Sequence, residues 1–271
     1  MKLYPGRALT ARGPFYGIFQ VEEEQTLFYP LGKNFELLVA ALDESRDPQR
    51  LIKTSADEPF TDFKFLPPSQ PTKIIAVGLN YRDHAEEFGL SIPDEPLLFL
   101  KPPSAAAGHL EPIIYPKQAQ RVEYEAELAV IIGRQVKNAD SKTAASAIFG
   151  YTCGNDVTER YYQKKDGQWT RAKGFDTFAP FGPWIAIDAH PEMGLKIKLY
   201  LNDKLKQHSS TVNMIFSPVE LVAFVSGIMT LYPGDVIFTG TPSGVGPIAP
   251  GDVIKVSIEQ IGTLINPVGQ A

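Results

Sequence analysis

A mixed α+β fold rich in strands is what this sequence predicts, and three observations carry the prediction. Proline and glycine are plentiful, 23 and 22 in 271 residues, as a chain with many turns between strands requires. Short apolar runs bounded by turn residues recur from residue 73 onward. Few segments carry the 3.6-residue spacing of an amphipathic helix.

Along the chain, residues 14–31 read as short strands. Residues 34–47, "NFELLVAALDESRD", place Phe35, Leu38, Val39 and Leu42 on one helical face. The prolines of residues 65–73, "FLPPSQPTK", make the best linker in the sequence. A boundary placed there divides the chain into a small N-terminal α/β unit, residues 1–70, and a main domain, residues 71–271. The main domain opens with the strand "KIIAVG" and the polar helix "NYRDHAEEFG". Further strands are expected at "PLLFLKP", "EYEAELAVIIG", "PWIAI", "LKIKLYLN", "DVIFTG" and "DVIKVSI", with helices over 141–147 and 218–230.

Composition excludes several classes of function. With 44% hydrophobic and 21% charged residues the chain is that of an ordinary soluble globular protein. A net charge of −5 and the lack of any basic cluster argue against nucleic acid, whose binding rests mainly on neutralised phosphate. The first residues form no apolar signal segment, and no run approaches the roughly 18 apolar residues of a membrane span. The single cysteine, Cys153, permits no internal disulfide and fits a reducing cytoplasm. Its expected role is that of a small buried hydrophobe.

One stretch raises a chemical question. "RVEYEAELAVIIGR", residues 121–134, places Glu123, Glu125 and Glu127 at spacing two, which on a strand means one face and neighbours roughly 6.5 Å apart. Like charges in a row repel one another and lose solvation when buried. Either that face is in water, or a divalent cation such as Mg²⁺, Mn²⁺ or Ca²⁺ sits against it, since hard ions take carboxylate oxygens. The apolar run that follows reads as a central strand. Asp156 lies 29 positions after Glu127, just before a helix, where an aspartate is also a good N-cap. His84 and Glu87 are three apart on a helix, as a general base and its orienting carboxylate would be, and as many surface pairs are. Lys173 stands in the loop-like stretch "RAKGFDTFAPFGP". The glycine-rich loop "GTPSGVG" lacks the spacing of a dinucleotide site. His109, His190 and His208 receive no role.

Taken in order, "AVGLNYRDHAEE", "PLLFLKP", "VEYEAELAVIIGR", "GYTCGNDVTERYYQ", "KGFDTFAPFGP" and "GDVIFTGTPSGVGP" resemble the fumarylacetoacetate hydrolase superfamily, from about residue 73 to the C-terminus. The resemblance is nearest to its bacterial acylpyruvate hydrolase and oxaloacetate decarboxylase members. It implies a C-terminal β-roll or β-sandwich of the fumarylacetoacetase type. It also implies Mg²⁺ or Mn²⁺ held by Glu125, Glu127 and Asp156, with Glu123 peripheral. His84 and Glu87 match the catalytic dyad on a lid helix, and Lys173 matches the lysine beside the metal. Lys101, Arg160, Gln163 and Thr241 match positions that face the substrate. The implied reaction is hydrolysis of a C–C bond in a small 2,4-dioxo acid through a metal-held enolate. Decarboxylation of oxaloacetate and isomerisation of an unsaturated 2-oxo diacid are the alternatives. A homodimer is the assembly that the resemblance implies.

Overall fold

A computed structural model of the chain describes residues 1–45, 47–54, 57–89 and 91–271. Its architecture is the strand-rich α+β fold that the sequence predicts. The strands Thr26–Gly32, Gly13–Val21, Lys2–Thr10 and Lys64–Phe65 form, in that order, an antiparallel sheet. The helices Phe35–Ser45 and Pro48–Thr54 lie in the chain between the strands Thr26–Gly32 and Lys64–Phe65, where the sequence suggested one. Proline, which favours the first turn of a helix, opens the second of them.

The centre is a seven-stranded mixed sheet. Its order is Leu97–Lys101, Ile74–Gly78, Val236–Phe238, Ala126–Ile132, Ile148–Asn155, Ala179–Ala186 and Ala106–Ala107. Ala126–Ile132 is buried at every position, which accounts for its unbroken apolar run. One face of the sheet packs on the helices Ser141–Ala147 and Pro218–Ile228 through Val130, Ile132, Leu221 and Val225. Sequence signals start both helices where expected. Asp140 caps the first by accepting the Thr143 N–H, and Ser217 and Glu220 form a reciprocal capping box on the second. Across the opposite face, Ala129, Phe181 and Phe238 share one core with Tyr16, Ile18 and Leu38 of the N-terminal segment.

A five-stranded sheet, ordered Lys204–Ser210, Lys196–Leu201, Val253–Ile258, Gly262–Gln270 and Ile113–Tyr115, encloses a further core with Leu128 and Cys153. Cys153 is fully buried, and burial pushes its thiol up to about 12, so it behaves as a hydrophobe and not as a nucleophile. No helix among the described residues is long and apolar enough to cross a membrane.

The segment 122–132 departs from the single strand expected. Val122–Tyr124 belongs to a small sheet with Thr158–Glu159 and Gly246–Pro247, whereas Ala126–Ile132 belongs to the central sheet. Glu125 is the switch between them. Its N–H donates to Asn155 Oδ1 at 2.9 Å, its carbonyl accepts from Asp156 N, and the next N–H donates to Gln207 Oε1 at 2.9 Å. Side-chain acceptors thus satisfy the backbone where the ladder changes sheets.

A second buried carboxylate ties the linker to the central sheet. Asp235 accepts from the Thr72 N–H and hydroxyl, the Lys73 N–H and the Tyr232 N–H, and pairs with the Lys73 ammonium. Asp235→Ala strands these donors and is expected to destabilise the fold by about 3 kcal/mol. A shift of the urea midpoint at unchanged slope checks it.

Candidate metal centre and active site

The sheet switch at Glu125 brings the chemistry together. Glu125, Glu127 and Asp156 are all buried, and one carboxylate oxygen of each lies within 4.8 Å of the others. Asp156 ends the strand Ile148–Asn155 and is fixed through its N–H to Glu125 O. It is not a helix cap, because Glu159 fills that role by accepting the Tyr162 N–H at 2.6 Å.

Cations offset part of this charge. Lys173 closes the short helix Thr170–Lys173, one turn inside the stretch read as loop, and donates to Glu125 Oε2 at 3.0 Å and to Asp156 Oδ2. Lys101, 1% exposed, donates to Asp156 Oδ1 and to Val157 O. Arg160 donates to Glu125 Oε1. Burial alone would raise the Glu125 carboxyl, but Lys173 and Arg160 outweigh it and hold it at about 2. The two lysines differ. Burial lowers Lys101 to about 8 despite Asp156, whereas Asp156 and Glu125 together outweigh burial at Lys173 and keep its ammonium above the usual value.

Glu127 stands apart. Its one hydrogen bond is from the Gly240 N–H at 2.6 Å, with no ion pair to a basic side chain among the described residues. Gly240 has φ +96°, and a Cβ there would lie 2.7 Å from Asn80 Cβ, so the close approach needs glycine. Burial first, then Asp156 and Glu125, hold the Glu127 carboxyl well above the ordinary value. A buried carboxylate short of positive charge, converging with two others, is an all-oxygen donor set that suits a hard divalent ion.

A cavity of about 750 Å³ opens over these groups. His84, Glu87, Arg160, Gln163, Lys173 and Thr241 line it together with the three acids. His84 Nδ1 lies 3.3 Å from Glu87 Oε2 on the helix Arg82–Phe88. That helix is pinned at both ends: Ser209 Oγ donates to Asp83 at 2.6 Å, and the Gly244 N–H donates to Glu87 at 3.2 Å. Phe99 and Trp169, packed edge to face, supply an apolar wall.

Lys101 and Glu123 both lie outside the triad of converging acids. Lys101 does not line the cavity; it is buried and spends its ammonium on Asp156 and the Val157 carbonyl. Glu123 lines the cavity, 4% exposed, and bonds Arg121 and Arg160. Two supporting residues escaped the sequence reading. Asn155 holds the Glu125 backbone, and Gln207 joins Ala126 N–H to Thr241 Oγ1 and Pro242 O. Period-two spacing marks Glu123 in the sequence, but nothing local marks Gln207.

The electrostatics carry a signed expectation. Because Glu127 holds its proton more tightly when folded, ion-free stability falls as pH rises from the ordinary carboxylate value to the raised one. A divalent ion removes that penalty and stabilises by mass action, about 2.7 kcal/mol at a hundredfold excess over Kd. Glu127→Gln is expected to abolish the rise in Tm with Mg²⁺ or Mn²⁺. At pH 8 it should leave the ion-free protein at least as stable as wild type. Melts at pH 6 and 8, with and without ion, check both.

Comparison with known proteins agrees with this geometry. Residues 73–269 match the family described as fumarylacetoacetate (FAA) hydrolase C-terminal. A 2,4-didehydro-3-deoxy-L-rhamnonate hydrolase of a Sphingomonas species is 41% identical over 202 residues, 70% of this chain and 71% of that one. A mitochondrial oxaloacetate tautomerase of Bos taurus is 40% identical over 223 residues, 78% of this chain and 71% of its own. The crystal structure of a 5-carboxymethyl-2-hydroxymuconate delta-isomerase from Mycobacterium smegmatis superposes with a TM-score of 0.85 at 38% identity, covering 99% of both chains. On its sequence, its fold and its buried acidic centre, the chain belongs to the fumarylacetoacetate hydrolase family.

Proposed function

We propose that the chain is a divalent-cation-dependent hydrolase that cleaves a C–C bond in small 2,4-dioxo acids of the acylpyruvate type. The observation that carries the reading is the His84–Glu87 pair on the wall of the cavity that holds the acidic triad. Glu125, Glu127 and Asp156 would hold Mg²⁺ or Mn²⁺. The bound ion supplies Lewis acidity to oxygens of the 2-oxo acid on which negative charge develops.

The remaining steps fall to side chains of this protein. Glu87, against Nδ1, fixes the His84 tautomer and leaves Nε2 to take a proton from water. That water adds to the distal carbonyl. The bond to C3 then breaks, its electron pair passes into the enolate of pyruvate, and a proton returns to C3. Lys173, kept protonated by its two carboxylates, is the group placed to stabilise the enolate or to deliver that proton. Arg160, Gln163 and Thr241 line the cavity as hydrogen-bond partners for a substrate carboxylate. Lys101 acts through Asp156, whose orientation it fixes. The Sphingomonas relative, a hydrolase by name, supports this choice.

A second reading is proton shuttling without water, as in isomerisation or tautomerisation. The bovine oxaloacetate tautomerase and the mycobacterial isomerase favour it. Decarboxylation of oxaloacetate draws on the same electron sink.

Purified protein assayed with and without Mg²⁺ on acetylpyruvate, fumarylpyruvate, oxaloacetate and an unsaturated 2-oxo dioate separates these readings. Cation-dependent release of pyruvate from the acylpyruvates is expected. His84→Ala should lower kcat for hydrolysis by about 10²- to 10⁴-fold. Oxaloacetate decarboxylation, which needs no attacking water, should keep most of its rate. Full-rate hydrolysis in His84→Ala would overturn the dyad's role. Dioate isomerisation without hydrolysis would decide for the second reading.

A further inference from the structure

We propose that Glu123 is a positioning residue that aims Arg160 at the carboxylate of the bound acid. The inference rests on the reading of Arg160 as a substrate-binding residue. It assigns the buried third acid of the row a task distinct from holding the cation.

Each Glu123 oxygen is used. Oε1 accepts from Arg121 Nε at 2.7 Å, and Oε2 accepts from Arg160 Nε at 2.6 Å. Arg160 is thereby anchored by the N–H nearest its stem. Its Nη2 donates to Glu125 and its Nη1 to Gln163 Oε1 at 2.9 Å. Of the five N–H groups of a guanidinium, these bonds take three, one on each nitrogen. One N–H on each terminal nitrogen remains, and Arg160 borders the cavity. Two such donors form the fork that grips a carboxylate in two parallel bonds.

Without the Nε anchor, Glu125 would be the only carboxylate bonded to Arg160, and a two-bond grip on Glu125 would use up the fork. Glu123 therefore prevents Arg160 from closing on the acid beside it. The backbone supports the anchor. Glu123 pairs with Thr158 on one side and Pro247 on the other, between the strand that leads into Arg160 and the segment that follows the Thr241 loop. Arg121 is largely exposed and is not needed for the aim, since it uses the other oxygen.

The test uses oxalate, a non-reacting mimic of a 2-oxo acid's adjacent oxygens, titrated calorimetrically into Mn²⁺-loaded protein, with Mn²⁺ affinity measured separately. Glu123→Ala is expected to weaken oxalate about tenfold, the scale of one charge-assisted hydrogen bond. Glu123→Gln, which keeps an acceptor without the charge, should lose less. Arg121→Ala should bind as wild type, and Mn²⁺ affinity should hold in all three. In turnover the same variants should raise KM and leave kcat within about threefold. Native oxalate affinity in both Glu123 variants overturns the proposal, as does a fall in Mn²⁺ affinity that matches the oxalate loss. If Glu123→Ala does not fold, Glu123→Gln decides alone. Wild-type protein that fails to bind oxalate sinks the functional reading itself and this inference with it.

Discussion

The burial of three converging carboxylates is the constraint on which the rest of the site depends. Glu125, Glu127 and Asp156 are each at most 6% exposed, where an uncompensated charge costs several kcal/mol. Lys101, Lys173 and Arg160 answer that charge, but unevenly. All three bond Glu125 or Asp156, and none bonds Glu127. The protein's own cations thus compensate two of the acids and leave the third to a proton or an ion. The short segments that carry Lys101, Lys173 and Arg160 are placed by this need as much as by packing.

Some of the arrangement was legible in the sequence because it is local. Spacing two on an extended chain puts Glu125 and Glu127 on one face, and spacing three on a helix joins His84 to Glu87. The helices Ser141–Ala147 and Pro218–Ile228 announce themselves by caps and apolar spacing. The strand Ile148–Asn155 was missed because its glycines and polar residues break any alternation. Lys204–Ser210 is a polar edge strand, exposed over its first three residues and nearly without apolar residues.

What could not be read is what depends on distant partners. The break at Glu125 needs Asn155 and Gln207, the latter 81 positions beyond Ala126, whose N–H it accepts. No spacing rule reports such a pairing. Lys101 followed a motif to a position facing the substrate, yet its ammonium turns to Asp156, because a buried lysine goes to the nearest carboxylate. Glu123 stands outside the triad, and its bond to Arg160 depends on an arginine that opens the helix Arg160–Asp166.

The sheet switch at Glu125 has a kinetic meaning. Glu125 stands at the junction of two sheets with Glu127 two residues on, and Asp156 follows a neighbouring strand that Asn155 ties to that junction. The donor set therefore exists only once the strands Ala126–Ile132 and Ile148–Asn155 have paired, so an ion would recognise the folded arrangement and not the unfolded chain. A ligand that binds only that arrangement would stabilise the native state by mass action and act as a brake on unfolding. In a cell its abundance would set how long the protein survives, in addition to how fast it works.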